Sequence, residues 1–132
     1  MKLFMKITAI VADDDISNLE LFSELLEMNG IQVISKTTNG KDAADAFQSL
    51  KPNLVFLDIM MPEFNGLYAL EKIREIDPFA IVMMITADTS DETNKMLEKL
   101  QPTATIHKPY EMSTILHFLN QQLELKEASK TN

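Results

Sequence analysis

Polar and charged side chains interrupt this sequence where its short apolar runs end. Three consecutive carboxylates, Asp13 to Asp15, follow the first run, and Asp58 follows a later one. Thr86 and Lys108 stand directly after two further runs. Each residue alone has an ordinary explanation, because an Asp before a helix is commonly a cap and a single Thr or Lys commonly lies on the surface. Their repeated position at the ends of apolar runs indicates a shared site.

The charges of these residues indicate what such a site could do. Three carboxylates in one crevice, Asp13, Asp14 and Asp58, would repel one another and raise at least one pKa unless a cation neutralised them. Because the chain has no cysteine and no histidines at ligand spacing, the oxygen ligands favour a hard ion, and Mg²⁺ fits better than zinc. Lys108 would add a second positive charge and Thr86 a hydroxyl donor for an incoming anion. Together these groups favour phosphoryl transfer with Asp58 as the nucleophile.

Five short apolar runs predict the strands that position these residues. The runs are too short for helices and mostly do not alternate with polar residues, which is typical of strands buried on both faces. We predict strands over residues 7–12, 31–35, 54–57, 80–85 and 103–107.

Between the strands, apolar residues recur at helical spacing and predict five helices. The first spans residues 17–28, with Ser17 as its N-cap and Gly30 as its terminator, and the next two end before Pro52 and Pro78. The fourth follows a capping box over residues 89–92 and has few apolar residues, so we expect it to be the most loosely held. The fifth carries one apolar stripe, formed by Met112, Ile115, Leu116, Leu119 and Leu123.

The alternation of strands and helices predicts the fold class. It implies a single α/β domain in which a parallel sheet is covered on both faces by right-handed crossovers. A flavodoxin-like, doubly wound sheet of five strands in the order 2-1-3-4-5, with five helices, is the natural solution, and its ligand crevice lies at the carboxyl ends of strands one and three. The aspartates fall at that place. We expect the domain to span residues 5–125, followed by a short polar tail over residues 126–132, frayed from Glu127, and no output domain.

Composition excludes several classes of protein. The 20 acidic residues against 12 basic ones give a net charge of -8, which repels nucleic-acid phosphates and anionic membranes, so we expect no direct DNA binding. The absence of cysteine rules out disulfides, thiolate metal sites and cysteine nucleophiles. No run approaches the roughly 18 to 20 apolar residues of a membrane span. We therefore expect a cytoplasmic protein without membrane association.

Over about residues 5–125, the sequence resembles the CheY-like receiver domains of bacterial and archaeal response regulators. Four motifs carry the resemblance: an acidic pair, a phosphoacceptor loop, a hydroxyl followed by a small residue, and a lysine-proline dipeptide. In chain order these are Asp13-Asp14, Asp58 with Met61-Pro62 and Gly66, Thr86-Ala87, and Lys108-Pro109. Each motif is weak alone, but their order and positions together form a specific signature.

The resemblance implies a metal site at the acidic pair. Asp14 and Asp58 would ligate Mg²⁺ together with the backbone carbonyl of Met60, while Asp13 would act mostly through water. These are oxygen ligands throughout, as Mg²⁺ requires.

The resemblance also implies a reaction. Asp58 would accept a phosphoryl group from a phosphohistidine of a histidine kinase or histidine phosphotransfer protein, with Thr86, Ala87 and Lys108 around that group. The Lys108–Pro109 peptide bond would be cis, which is permissible before proline. The phosphorylated domain would change conformation and signal to an unidentified downstream protein. Such a protein is a switch, and not an enzyme that turns over a separate substrate.

The sequence departs from the family pattern at several positions. Thr105 stands at the switch position, where many receivers carry an aromatic residue, so an aromatic rotamer change cannot be the readout. Residues 100–103 replace the usual glycine-containing approach to strand five, which predicts a stiffer end of helix four. Phe118 and Leu125 fall off the main stripe of the fifth helix and suggest a homodimer or partner face.

Three other functions share parts of this pattern. An aspartate-nucleophile phosphatase of the haloacid dehalogenase type has a second Asp two residues after the nucleophile, where this chain has Met60. A flavodoxin-like FMN carrier needs an uncharged, hydroxyl-rich phosphate loop after strand one, and Asp13 to Asp15 would repel that phosphate. A phosphorylation-independent docking module with the receiver fold is the third alternative, although the intact site residues argue against it.

Overall fold

A computed structural model describes the backbone of residues 6–131 and the side chains of residues 6–124. The strands are β1 (Ile7–Ala12), β2 (Ile31–Thr37), β3 (Leu54–Asp58), β4 (Ile81–Thr86) and β5 (Ala104–His107). The helices are α1 (Ile16–Met28), α2 (Gly40–Leu50), α3 (Gly66–Ile76), α4 (Asp91–Leu100) and α5 (Met112–Thr131). Strands and helices alternate as predicted, and the strand bounds agree with the prediction to within two residues.

The five strands run parallel in one sheet with the order β2-β1-β3-β4-β5, which confirms the predicted flavodoxin-like topology. β1 lies beside β3, with Ala12 opposite Leu57. β4 lies on the other side of β3, with Ile85 opposite Asp58. The carboxyl ends of these three strands therefore finish at nearly the same level, and the residues that follow them meet at one edge of the sheet.

Alternate residues of each strand pack into two separate layers of core. In β3, Val55 and Leu57 pack with α2, α3 and α4, while Leu54 and Phe56 pack with α1 and α5. All four side chains are fully buried. Burial on both faces explains why the strand sequences do not alternate between apolar and polar residues. A residue's place in its strand therefore decides which side of the sheet its side chain faces.

Helix α1 begins one residue earlier than predicted because Asp15, and not Ser17, is its N-cap. The Asp15 side chain accepts a hydrogen bond from the backbone N–H of Asn18 at 3.1 Å. Gly30 follows the end of the helix with a φ of 84°, and its N–H donates to the carbonyl of Glu27 at 3.1 Å. The third Asp of the acidic run thus has an ordinary capping role.

Helix α4 is capped by Ser90, so the predicted capping box over residues 89–92 does not form. The Ser90 hydroxyl oxygen accepts from the N–H of Thr93 at 3.3 Å. The Asp88 carboxylate favours this register, because it accepts hydrogen bonds from the Ser90 N–H at 2.8 Å and from the Thr93 hydroxyl at 2.6 Å. α4 buries only Thr93 and Leu97, in line with the expectation of a loosely held helix.

The other end of α4 is held by Arg74 of α3. Arg74 Nε donates to the carbonyl of Gln101 at 3.2 Å, and Nη1 donates to the carbonyl of Ala80 at 2.7 Å. Gln101 caps α4 in the left-handed conformation with a φ of 51°, which a glycine would adopt at lower cost. Burial lowers the pKa of Arg74. A single guanidinium thus ties the end of α4 to α3 and to the start of β4.

Helix α5 extends to Thr131 and so continues through the segment that the sequence predicts to fray from Glu127. Residues 121–131 contain no Gly or Pro and are rich in Gln, Glu, Leu and Lys, which favour helix. Phe118 is half-buried and packs against the core layer of α1 and α5, whereas the side chain of Leu125 lies outside the described side chains. Within residues 6–131, no helix is both long and apolar enough to cross a membrane.

Two glycines let the loop after β3 pack closely against its neighbours. A Cβ atom at Gly66 would collide with the backbone carbonyl of Asp58, and one at Gly40 would collide with that of Asn65. The N–H of Gly66 donates to the carbonyl of Ile59 at 3.0 Å. These contacts fix the backbone directly after Asp58.

Gly66→Ala is expected to destabilise the domain by roughly 1 to 3 kcal/mol, because the added methyl group must displace the backbone of Asp58. Gly30→Ala is a matched control. Nothing lies within 4 Å of a Cβ atom at Gly30, so only the left-handed backbone penalty remains, about 1 kcal/mol. Urea unfolding measures both variants. A Gly66→Ala protein at least as stable as the Gly30→Ala protein would contradict the close packing.

Candidate functional site

Asp58, the last residue of β3, is buried at the carboxyl edge of the sheet with 8% of its surface exposed. Its Oδ2 accepts a hydrogen bond from Nζ of Lys108 at 2.9 Å, and its Oδ1 accepts one from the N–H of Met60 at 3.1 Å. The ion pair joins the ends of β3 and β5, which are separated in the sheet by β4. Both carboxylate oxygens are therefore held in a defined orientation.

Lys108 directly follows β5. Its N–H donates to the carbonyl of Thr86 at 2.9 Å, and the Lys108–Pro109 peptide bond is cis, as predicted. Partial burial lowers the pKa of Lys108, but the hydrogen bond and the charge of Asp58 raise it by more, so the net pKa lies above the ordinary value. Lys108 is thus a fixed positive charge beside Asp58 at neutral pH.

Asp13 follows β1 and is also buried. Burial raises the pKa of its carboxyl; a 2.9 Å hydrogen bond from the N–H of Asp15 opposes this effect. The charges of Asp58 and Asp14 raise the pKa further, while Lys108 lowers it, and the net pKa is above the ordinary value. The crevice is lined by two carboxylates, Asp13 and Asp58, and one ammonium group, Lys108, and this excess of negative charge favours the binding of a cation.

Asp14 is exposed and does not line the crevice formed by Asp13, Asp58 and Lys108. Among the side chains of residues 6–124, no three acidic or histidine residues lie close enough together to hold a metal ion. The structure thus brings together two of the three carboxylates that the sequence predicts to converge. Asp14 lies at a bend after β1, and the two neighbouring carboxylates differ in burial, with Asp13 buried and Asp14 exposed.

Thr86, the last residue of β4, is fully buried. Its hydroxyl oxygen accepts a hydrogen bond from the N–H of Asp88 at 2.8 Å. By strand alternation, its side chain leaves the sheet on the side of Met84, whereas Ile85 faces the crevice. The fold therefore brings Thr86 to the same edge of the sheet as Asp58 but does not place its hydroxyl in the crevice.

The remaining predicted residues lie around this centre. Ala87 is exposed at the start of the loop between β4 and α4. Met60 contributes its backbone to the loop after Asp58, and its side chain is 63% exposed. Thr105 is half-buried on β5, opposite Met84 of β4. Thr105 therefore does not line the crevice.

A cavity of about 260 Å³ lies beside the charged groups. Its polar lining includes Asp13, Asp58, Lys108 and Asn18, and its apolar lining includes Val11, Phe22, Phe56, Ile85 and Tyr110. The rings of Phe22 and Tyr110 meet edge to face with centroids 5.7 Å apart, and burial raises the pKa of Tyr110. Sequence reasoning missed Asn18. Its place in the first turn of the helix after the aspartates is the signal that could have indicated it.

This arrangement can bind a small anion and react with it. Asp58 offers a carboxylate oxygen beside a largely apolar wall, where water competes weakly as a hydrogen-bond partner. Lys108 can transfer its hydrogen bond from that carboxylate to an arriving anion. A positioned carboxylate beside an ammonium group is therefore suited to nucleophilic attack on an electrophile that carries negative charge.

A family model and related sequences indicate the same protein family. A family model described as the response regulator receiver domain matches residues 9–120. The chemotaxis protein CheY of Thermotoga maritima is 30% identical over 113 residues, which are 84% of this chain and 92% of that protein. The protein-glutamate methylesterase/protein-glutamine glutaminase of Desulfotalea psychrophila is 35% identical over 125 residues, which are 92% of this chain but 34% of that enzyme.

The fold has close counterparts among solved structures. The crystal structure of a CheY-like response regulator receiver domain protein from Methanospirillum hungatei superposes with a TM-score of 0.87. The superposition covers 95% of this chain and 99% of that one at 23% identity. With the family match over residues 9–120, this chain belongs to the response regulator receiver domain family of two-component signalling.

Proposed function

We propose that this protein is a phosphorylation switch in which Asp58 accepts a phosphoryl group from the phosphohistidine of a histidine kinase or histidine phosphotransfer protein. The observation that carries the proposal is the buried Asp58 carboxylate, paired with Lys108 at 2.9 Å and lying beside Asp13. This geometry provides a nucleophile and a positive charge for the group it attacks. Both the kinase and the switch would work in the cytoplasm.

The proposed step is an in-line displacement. One carboxylate oxygen of Asp58 forms a bond to phosphorus while the bond from phosphorus to the imidazole nitrogen of the donor breaks. The electron pair of that bond leaves with the nitrogen, which takes a proton from solvent. Lys108 stabilises the negative charge on the phosphoryl oxygens, since it already donates to Asp58 and can donate to an oxygen bound to it.

The acidic residues fit a Mg²⁺ ion. The raised pKa of the Asp13 carboxyl indicates that its ionised form is disfavoured, mainly by burial, and a hard cation would relieve this cost. Asp58 and the backbone carbonyl of Met60 would hold the ion directly and Asp13 through water, while Asp14, which is exposed, would have to turn into the crevice to complete the set. Bound Mg²⁺ would neutralise charge on the phosphoryl oxygens.

The proposed output is a change of conformation and not the turnover of a separate substrate. A phosphoryl group on Asp58 would attract the hydroxyl of Thr86, and the exposed Ala87 leaves space at the start of the loop beyond β4. Because α4 follows this loop and buries few residues, it is the element most easily displaced. A downstream protein would recognise the altered surface.

The direct test is intact-mass measurement after incubation with acetyl phosphate and Mg²⁺. We expect a single phosphoryl adduct on the wild type that disappears when EDTA is added beforehand. Asp58→Asn should form no adduct, because the amide is a much weaker nucleophile than the carboxylate.

Two results would count against the proposal. An adduct of equal yield on Asp58→Asn would place the acceptor elsewhere. If the wild type formed no adduct and also failed to bind beryllofluoride with Mg²⁺, the phosphorylation-independent docking module would become the better explanation.

Lys108→Ala should slow adduct formation from acetyl phosphate by about 10²- to 10³-fold, because it removes the positive charge nearest to the attacked group. Lys36→Ala is the matched control. Lys36 pairs with Glu20 at 3.1 Å, but both side chains are largely exposed, so its loss should leave the rate unchanged. Time courses of intact mass compare the two variants. Equal rates for Lys108→Ala and Lys36→Ala would exclude Lys108 from the reaction.

Asp13→Asn should stabilise the protein in EDTA by about 1 kcal/mol at neutral pH, because it removes a carboxylate whose ionised form burial disfavours. The Asn side chain can still accept the N–H of Asp15. The penalty that a raised pKa places on the folded state is complete above that pKa and is lost as the pH falls to the ordinary Asp value, so the advantage of Asn should shrink over the same range. Urea unfolding at several pH values measures this.

The same pair of proteins tests the metal site. Added Mg²⁺ should raise the melting temperature of the wild type by more than that of Asp13→Asn. A variant that is less stable than the wild type in EDTA would contradict the unfavourable burial of the Asp13 carboxylate.

A further inference from the structure

The hydroxyl of Thr86 belongs to a hydrogen-bonded chain that reaches into α4. Its Oγ1 accepts from the backbone N–H of Asp88 at 2.8 Å. The Asp88 carboxylate in turn accepts from the Thr93 hydroxyl at 2.6 Å and from the Ser90 N–H at 2.8 Å. The loop that carries Thr86 is thus fastened to the first turn of α4 by the side chain of Asp88.

Thr86 in this state is not placed to meet a phosphoryl group. Its side chain is fully buried and leaves the sheet on the side of Met84. Asp58 and Ile85 line the crevice on the opposite side. To reach a phosphoryl oxygen on Asp58, the Thr86 hydroxyl must turn across the edge of the sheet and lose the hydrogen bond that it accepts from the N–H of Asp88.

The Asp88 side chain resists that movement. The hydrogen bonds from Thr93 and Ser90 lower the pKa of Asp88, so it is an anion at neutral pH and accepts both strongly. Thr93 is nearly buried, with 8% of its surface exposed, so water competes poorly for its hydroxyl. The Ser90 side chain caps α4 without the Thr93 hydroxyl. The hydrogen bond from that hydroxyl to Asp88 is therefore an additional link between the loop and α4.

We propose that Asp88 and Thr93 are positioning residues that hold Thr86 away from the phosphoryl site until Asp58 is phosphorylated. We call Thr86, Asp88 and Thr93 the β4–α4 latch. This inference rests on the proposed function, since a latch has meaning only if Asp58 carries a phosphoryl group. It also provides a route from Asp58 to α4 in a chain where Thr105 replaces the aromatic switch residue.

The latch predicts tighter binding of a phosphoryl mimic when the Thr93 hydroxyl is removed, which a purely structural role of Thr93 would not produce. Thr93→Val removes the hydroxyl with little change in volume, so the wild-type state loses one hydrogen bond that opposes the movement of Thr86. The apparent affinity for beryllofluoride with Mg²⁺, which mimics the phosphoryl group, should rise by about threefold to tenfold, the equivalent of one net hydrogen bond. If Thr93 only stabilised α4, its loss would leave this affinity unchanged or lower it.

Three further variants complete the experiment. Thr93→Ser keeps the hydroxyl and should bind beryllofluoride like the wild type. Thr89→Val makes the same chemical change four residues away, outside the latch, and should also match the wild type. Asp88→Ala should produce at least the same rise as Thr93→Val, because it removes the hydrogen bond from the Ser90 N–H as well. The double variant should bind no more tightly than Asp88→Ala alone, because Asp88→Ala already removes the bond that Thr93→Val removes.

Isothermal titration calorimetry of beryllofluoride in excess Mg²⁺ measures the wild type, the four single variants and the double variant, and thermal unfolding confirms that each is folded. Tighter binding by Thr93→Val and Asp88→Ala, with Thr93→Ser and Thr89→Val at the wild-type value, supports the latch. Wild-type binding with unchanged or weaker binding by Thr93→Val overturns the latch and leaves the proposed function intact. A wild type that binds no beryllofluoride and forms no adduct with acetyl phosphate overturns both.

Discussion

Lys108 and Asp58 are brought together by the parallel sheet, because β3 and β5 both end at its carboxyl edge with only β4 between them. A buried charge without a partner is costly, by several kcal/mol, and the 2.9 Å ion pair with Lys108 offsets that cost for the Asp58 carboxylate. The pair does not neutralise the whole site, because a second carboxylate, Asp13, lines the same crevice. The crevice therefore keeps an excess of negative charge beside the ion pair.

The surroundings of Asp58 differ in how easily they can move. On one side, the glycine-dependent contact between Gly66 and the Asp58 carbonyl leaves no space for displacement of the backbone. On the other, the loop beyond β4 is held by side-chain hydrogen bonds through Asp88. Side-chain hydrogen bonds can be exchanged at small net cost, whereas packed backbone cannot be compressed. Under the proposed function, a change at Asp58 would therefore be transmitted towards α4 and not towards α3.

Sequence reasoning predicted the fold and the position of Asp58 and Lys108, because buried parallel strands have distinctive apolar runs and their carboxyl ends must meet. It was less successful where several polar residues compete for one role. Asp15 displaced Ser17 as the cap of α1, and Ser90 displaced Thr89 at α4. Such choices depend on hydrogen bonds to side chains outside the helix, which a linear pattern does not contain.

The direction of a side chain was the other property that sequence could not supply. Asp13 and Asp14 are neighbours of the same type, yet one is buried and the other exposed. Asn18 reaches the cavity only because α1 starts at Ile16 and turns its first residues towards the sheet edge. Position in the fold follows from patterns of apolar residues, whereas orientation follows from the geometry of individual turns.

Arg74 has a consequence for the way in which α4 can move. Its guanidinium holds the Gln101 carbonyl at the end of α4 and the Ala80 carbonyl at the start of β4, while side-chain hydrogen bonds of Asp88, Ser90 and Thr93 join the beginning of α4 to the preceding loop. A rigid rod that is released at one end and fixed at the other can only rotate about its fixed end. The helix is then a lever with its pivot at Gln101, and the displacement of its surface grows along its length towards Asp91.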